Sequence, residues 1–388
     1  MYDRLKAPAF LFVSCIAVAV RNLMQHRIRL VAALSGVAVA LFLLTLQIAL
    51  LDAMRSKITQ LFDDLNFDLV IIPDTYQFLL TFETFNRVVL NEALATGDVA
   101  GAFGLNVDVV RWTGLSNKNQ AYLFLIGLDE PGTFVRDRAI RTGLASLTSP
   151  HSILIDDDSQ LDARLLATGS SAEIGGEKVV IDGHFNLGLF FYAESGAIVR
   201  NTDFPRLARR DPRSVSIGLL RVASGIRPED AKARLIERLP DHVLVLTRDE
   251  LLRQERAYFL STKPIGILVY LGMLIACVVG TVIMIQVLST EVSTRVKEYA
   301  VLKAMGFNTA YVYSIGVAQA SMLGLGGLSP AIFAGAAVLW IVHDRTHLSS
   351  QMTLALAGTM VAIVLSLAIV AVSVVLHRVR RADPAELF

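Results

Sequence analysis

His343 and His347 stand four residues apart in HDRTH, a spacing that puts two imidazoles on one helix face. Two histidines do not hold zinc without at least one more protein ligand, and Asp344 is poorly placed to supply it. The pair therefore reads as an ordinary outer turn. Asp156, Asp157 and Asp158 raise the question of calcium. The run lacks the alternating Asp/Asn spacing and the downstream Glu of a calcium loop, so it reads as a solvated turn. Cys15 and Cys277 both lie inside apolar runs, with no ligand spacing and no disulfide framework between them. They read as small buried side chains. The sequence contains no G-x-x-x-x-G-K-[ST], no H-E-x-x-H and no G-x-S-x-G. It thus lacks the parts for P-loop nucleotide binding, zinc proteolysis and nucleophile-elbow hydrolysis. No catalytic, cofactor-binding or metal-binding residue is assigned, and the chain is expected not to be an enzyme.

What the chain has in place of chemistry is apolar length. Of its 388 residues 54% are hydrophobic and 18% charged, against about 45–50% and about 25% in a soluble domain. The excess is clustered in four runs, 30–51, 264–288, 312–342 and 352–376, each long enough to cross a bilayer. The third carries Gly324, Gly326, Gly327 and Pro330 and is expected to be interrupted there. The polar members Gln47, Gln286 and Gln319 are not ionisable, so no proton or ion relay is visible. A net charge of +1 gives no bias toward nucleic acid.

Orientation follows from Lys and Arg in the short flanking segments. Arg21, Arg27 and Arg29 precede the first run; Arg295, Lys297 and Lys303 lie between the second and third; Arg378, Arg380 and Arg381 follow the fourth. The short loop 343–351 has a single Arg345. Both termini are therefore expected inside (N-in, C-in), with 52–263 outside. The expected organisation is an interfacial N-terminal stretch 1–29, spans 30–51, 264–288, 312–342 and 352–376, a cytoplasmic loop 289–311, an outer loop 343–351 and a cytoplasmic tail 377–388. The apolar stretch 7–20 is short for a span. It reads as an interfacial helix on the inner leaflet, with a signal-like core as the alternative.

The outer segment reads as an α+β domain. Its start, DAMRSKITQLFDDLN, has Ile58, Leu61, Phe62 and Leu65 at helical spacing and extends the first span as a stalk. Strands are expected at 67–73, 121–129, 151–156, 178–185 and 214–222. Pro228 opens and Pro240 ends a helix that leads to HVLVLT, a strand–helix–strand unit of a split α/β sandwich. Thr247 and Glu250 form a capping box before DELLRQERAYFLSTK, a helix expected to run straight into the second span.

Two further patterns remain. Ala32, Gly36 and Ala40, and likewise Gly272, Ala276 and Gly280, put small residues on one face of a span, as helix packing within a subunit or a dimer seam requires. Between the second and third spans lies STRVKEYAVLKAMGFN, 293–308. Orientation alone needs only a few basic residues. Here Glu291 and Arg295 form a favourable i,i+4 pair, and Val292, Val296, Tyr299 and Ala300 make an apolar strip. A short helical turn from Ala300 to Met305 then stops at Gly306. Val301, Leu302 and Met305 suit a groove on a partner.

The stretches 177–199, 261–288 and 291–308, with the closing RRADPAELF, resemble permeases of the MacB/FtsX superfamily of ABC transporters, the type VII fold. EYAVLKAMG is the superfamily-like element, and IDGHFNLG favours the DevC-like branch. At 188–196 the chain reads GLFFYAESG where DevC-like chains often have GTSFGADG. The resemblance implies four transmembrane helices and a large periplasmic domain between helices 1 and 2, in the inner membrane. It implies a homodimer served by a separate ABC ATPase, with ATP bound there and no cofactor on this chain. In the DevC-like branch a periplasmic adaptor and an outer-membrane channel complete a tripartite assembly. The implied function is mechanical export of a lipid, glycolipid or other amphiphile. ATPase coupling is expected at Arg295, Glu298, Tyr299, Ala300, Val301, Leu302, Lys303, Met305 and Gly306. Alternatives are an FtsX-like transducer for a cell-wall hydrolase and a Lol-type lipoprotein-releasing permease.

Overall fold

The computed structural model describes residues 27–114, 120–129, 134–147, 149–159, 161, 165–188, 193–294, 309–346 and 354–381. The chain divides into two compact units, one of residues 54–263 and one of residues 1–53 with 264–388.

The second of these is helical. Its described helices are α1 (Arg27–Asp63), which continues past residue 53 into the other unit, α7 (Pro264–Thr294), α8 (Thr309–Thr346) and α9 (Leu354–Arg381). All four are long and apolar enough to cross a membrane. Leu41, Leu44, Met284, Leu323, Val364 and Val372 belong to their shared core. The outer surface is apolar too: Leu268, Leu274, Ile275 and Val278 of α7 are each more than half exposed. Such a surface is stable against hydrocarbon and not against water.

The interruption expected in the third run is not there. Helix α8 continues through Pro330. Membrane helices tolerate such residues because neighbouring groups re-satisfy the freed backbone. The glycines serve as close-approach points: Gly324 lies against Val364, Gly326 against Leu34, and Gly327 against Val37 and the Ala38 backbone.

Residues 54–263 form the α+β unit. A nine-stranded sheet runs in the order β11-β1-β10-β3-β4-β8-β5-β7-β6. The strands are β1 (Leu69–Pro73), β3 (Val99–Gly114), β4 (Gln120–Leu128), β5 (Ser152–Asp156), β6 (Ser171–Ile174), β7 (Glu177–Phe185), β8 (Ser195–Arg200), β10 (Ile217–Val222) and β11 (Val243–Thr247). A separate ribbon pairs β2 (Phe85–Asn86) with β9 (Ser214–Val215), and helices α2 (Val88–Ala95), α3 (Arg138–Ser146) and α4 (Phe204–Ala208) lie between successive strands. Strand β1 is antiparallel to both β10 and β11. With the connecting helix α5 (Pro228–Arg238) this is the split βαβ unit expected from the prolines.

The long strand β3 joins two halves of the domain. Its first part pairs with β10, Leu105 to Thr113 pair with β4, and Trp112 to Gly114 pair with β6. That last pairing closes β3, β4, β8, β5, β7 and β6 into a ring. One apolar cluster takes residues from all six, including Trp112, Leu123, Ile153, Ile174, Ile181 and Val199. Burying each such side chain contributes about 1.5–3 kcal/mol. Where the halves meet, Asn201 Nδ2 donates to Asp129 (3.0 Å) and to the Gly104 carbonyl (3.1 Å), and its Oδ1 accepts from Asn106 (2.6 Å). Arg87 pairs with the same Asp129.

The unit ends in α6 (Arg248–Thr262), whose start carries the expected capping box: both the Thr247 and the Glu250 arms are present. This helix does not run straight into α7. Lys263 is extended, with φ −81 and ψ 139. Pro264 disfavours the helical conformation in the residue before it and opens the next helix at its first position.

Candidate functional site

The last turns of α1, residues 54–63, and helix α6 are the two helical ends of the α+β unit. They are fastened to each other and to the sheet by polar groups that apolar burial alone does not require. Arg256 donates to Thr59 Oγ1 at 3.0 Å. Arg248 donates to Asp63 Oδ1 at 3.0 Å and to the Phe62 carbonyl at 3.2 Å. Each bond is charge-assisted on the donor side.

The ring of strands is fastened to α1 through Lys57. Its ammonium lies beside Gly188 together with the Asp158 carboxylate, and the charges of Asp158 and Asp156 act on it. Asp156 is fully buried, and Asp158 and Lys57 are nearly so. The expectation of a solvated aspartate turn is therefore wrong for two of its three members. Asp156 Oδ1 accepts from the amides of Asp158 (3.1 Å) and Leu187 (3.2 Å), which folds the turn inward and aims the carboxylates at the helix. The cation at this aspartate pair is a lysine. Gly188 adopts φ +62, which glycine tolerates without strain, and a Cβ there would collide with both charged groups. The IDGHFNLG stretch, 181–188, thus ends against the stalk. Nothing in the sequence spacing links Lys57 to residues a hundred positions later, so this contact was not legible beforehand.

Helix α6 carries a buried acid of its own. Glu255 is 1% exposed. Its Oε1 accepts from the Tyr76 hydroxyl at 2.5 Å and its Oε2 from the Leu79 amide at 3.2 Å. Burial pushes its carboxyl up to about 7, against the opposing pull of those two donors.

His184 links Asp157 and Thr168: Nδ1 lies 2.7 Å from Asp157 Oδ1 and Nε2 3.1 Å from Thr168 Oγ1. The order is that of a hydrolytic triad. Thr168, however, sits exposed in a turn, and the next two amides already donate to Ile181 and Ala167. Among the described residues no oxyanion donor is left there, and His184 Nδ1, for all its closeness to Asp157, makes no hydrogen bond; the Nε2 contact with Thr168 ties β7 to the turn before β6. Among the described residues no group of three or more His, Cys, Asp or Glu is placed to hold a metal ion.

Of the residues singled out in the sequence, Arg295, Glu298, Tyr299, Ala300, Val301, Leu302, Lys303, Met305 and Gly306 lie outside the described residues. So do His347 and Cys15. The small-residue faces are placed within the helical unit. Gly36 lies 3.4 Å from Ile283 by its notional Cβ, Gly280 faces Ala40 and Leu367, Gly272 faces the Gln47 amide, and Ala276 is buried in the shared core. These positions bring α1 and α7 together.

Residues 270–380 match the family described as FtsX-like permease C-terminal. The match spans most of α7 and all of α8, and reaches to within one residue of the end of α9. The fold is thus a set of four membrane-crossing helices with an α+β domain inserted between the first and second. No curated protein matches the chain. Among solved structures, the extracellular domain of the noncanonic ABC-type transporter YknZ from Gram-positive bacteria is similar at 13% identity and TM-score 0.33, covering 46% of this chain and 98% of that one. The periplasmic region of MacB from Actinobacillus actinomycetemcomitans is similar at 8% identity and TM-score 0.34, covering 48% and 91%. A domain of a putative permease protein from Porphyromonas gingivalis is similar at 13% identity and TM-score 0.29, covering 48% and 88%.

Proposed function

We propose that the chain is the permease subunit of an ABC exporter of the MacB/FtsX superfamily. The observation that carries this reading is the FtsX-like match across the last three membrane helices. ATP is bound and hydrolysed by a separate subunit, since the chain has no P-loop. The basic loops support both termini on the cytoplasmic side and the α+β domain outside; the superfamily reading makes the membrane the inner one and the outside the periplasm.

In this reading the ATPase docks on 291–308 through Arg295, Glu298 and Lys303, with Val301, Leu302 and Met305 in its groove. Closure of the ATPase moves α1 and α7, and the domain feels it through the two helical ends joined to it. Lys57 and the aspartates, with Arg248 and Arg256, make those ends part of the domain, so displacement is passed on and not absorbed by a loose joint. The working form is a homodimer with two ATPases. IDGHFNLG at 181–188 favours the DevC-like branch, with an adaptor, an outer-membrane channel and a lipid, glycolipid or other amphiphile as cargo. The spans offer no ionisable path, which suits a cargo handled from the domain side.

The test is purification of the tagged full-length chain from its native membrane. An ABC ATPase should copurify, and Glu298→Ala with Lys303→Ala should uncouple hydrolysis from export while the chain stays in the membrane. ATP binding by the chain alone, or normal export by that variant, contradicts the reading.

A further inference from the structure

The segment 76–82 crosses the flank of α6 and is held there residue by residue. The Tyr76 hydroxyl and the Leu79 amide both bond Glu255. Gln254 donates to the Tyr76 carbonyl at 3.3 Å, and Tyr258 donates to Gln77 Oε1 at 2.6 Å. Phe78 stacks on Tyr258 with ring centroids 4.9 Å apart, and Lys263 sits 4.2 Å over Phe78. The short 3₁₀ turn Leu79–Thr81 then ends at Phe82, whose φ of 53 is a left-handed conformation that a bulky residue adopts at a cost. The segment is therefore pinned at one end by a buried acid and strained at the other.

We propose that Glu255 is a protonation-controlled latch: its neutral form holds segment 76–82 on helix α6, and its ionised form releases it. The buried environment favours the uncharged carboxyl, which donates one hydrogen bond and accepts the Leu79 amide without a charge to solvate. Among the described residues the ionised form has two donors but no cation. Arg256 on the same helix donates to Thr59, Arg248 to Asp63, and Lys263 sits over Phe78; none of these cations acts on the Glu255 carboxyl, although the Nε of Arg256 and of Arg248 is left without a partner. On its own helix, Glu255 is flanked one turn away by Leu251, Leu252, Tyr258 and Phe259; β1 and β11, which pack on α6, bring no charged residue. Burial raises the carboxyl to about 7, and among the described residues no charge balances it. The sign follows. A carboxyl whose folded value lies above its unfolded one contributes stability that is fully present below about 4.5 and is lost as pH rises through about 7. The inference does not depend on the transporter reading, because the latch lies wholly within residues 54–263.

The experiment is hydrogen exchange on the full-length chain in lipid nanodiscs from pH 5.5 to 8.5, read as protection factors of the amides in 76–82. In the native chain protection should fall by up to tenfold per pH unit as pH rises toward about 7 and level off above it, because the released carboxyl is ionised from about 4.5 upward and the held one only from about 7. Glu255→Gln should abolish the dependence. Tyr76→Phe removes a donor that favours the ionised form, so its fall should begin at lower protection and with a higher midpoint. The proposal is overturned if the native chain and Glu255→Gln share one pH profile. It is equally overturned if Tyr76→Phe leaves the midpoint unmoved.

Discussion

Replacing Lys57 by Met removes the ammonium from beside two carboxylates that water does not reach. The substitution conserves length and apolar contacts of the stem, so the loss is electrostatic. Removing one partner of a buried ionic cluster costs about 3–5 kcal/mol, because the remaining charge stays desolvated. Asp156 keeps the two amide donors of Asp158 and Leu187, which places the expected cost near the lower end. For a unit of this size each kcal/mol moves the midpoint by about 2–4 °C, so Lys57→Met should lower it by about 6–12 °C. The chain offers its own reporter. It has two tryptophans: Trp112 is buried inside the ring of strands and Trp340 is largely exposed on α8. In a Trp340→Phe background, fluorescence during thermal unfolding reads the ring alone. Adding Asp158→Asn to Lys57→Met removes one of the stranded charges and should recover part of the loss, with a coupling of about 0.5–3 kcal/mol. A midpoint within about 2 °C of the parent, or strict additivity in the double variant, refutes the claim that this cluster fastens stalk to sheet.

Glycine substitutions in the helical unit should separate by position. Gly327→Val puts a side chain against the Ala38 backbone and should cost about 1–3 kcal/mol, read as earlier thermal aggregation in detergent. Gly280→Ala meets only ordinary contacts at 3.6 Å and 3.9 Å and should be neutral or gain up to about 1 kcal/mol. Thr247→Ala removes one arm of the capping box and should cost about 1 kcal/mol, read as a lower unfolding midpoint by circular dichroism. Glu250 behaves oppositely to Glu255. Its bond with Lys232, at 2.5 Å, and with the Thr247 backbone holds its carboxyl below the usual value. Its contribution is present above about 4.5 and is lost as pH falls through the folded value, a loss that Glu250→Gln should flatten.

What could be read from the sequence was what local patterns encode. The four apolar runs became four helices, because twenty apolar residues admit few other fates. Pro228, Pro240 and the Thr247–Glu250 box marked true boundaries, since each acts on its immediate neighbours. Strand β3 escaped notice because Gly101 and Gly104 broke its apolar alternation. In the fold Gly104 is where Asp129 and Asn201 reach the backbone, a role set by β4 and β8. The junction at Lys263 was misread although Pro264 stood in plain sight, the helix pattern outweighing a proline that fixes its predecessor. The aspartate turn was misread for a deeper reason. Whether Asp156 faces water or Lys57 is decided by which helix packs there, and sequence spacing carries no record of that.

The central claim is that this chain works through a separate ATPase received at 291–308. The most direct measurement is a photo-crosslinking residue placed at Leu302 in the full-length chain, activated in native membranes, with the adduct identified by mass spectrometry. The account predicts an ABC ATPase in the adduct, lost when Glu298 and Lys303 are replaced by Ala. A chain that crosslinks to no ATPase while one copurifies with it contradicts the docking site; a chain that binds ATP itself contradicts the account as a whole.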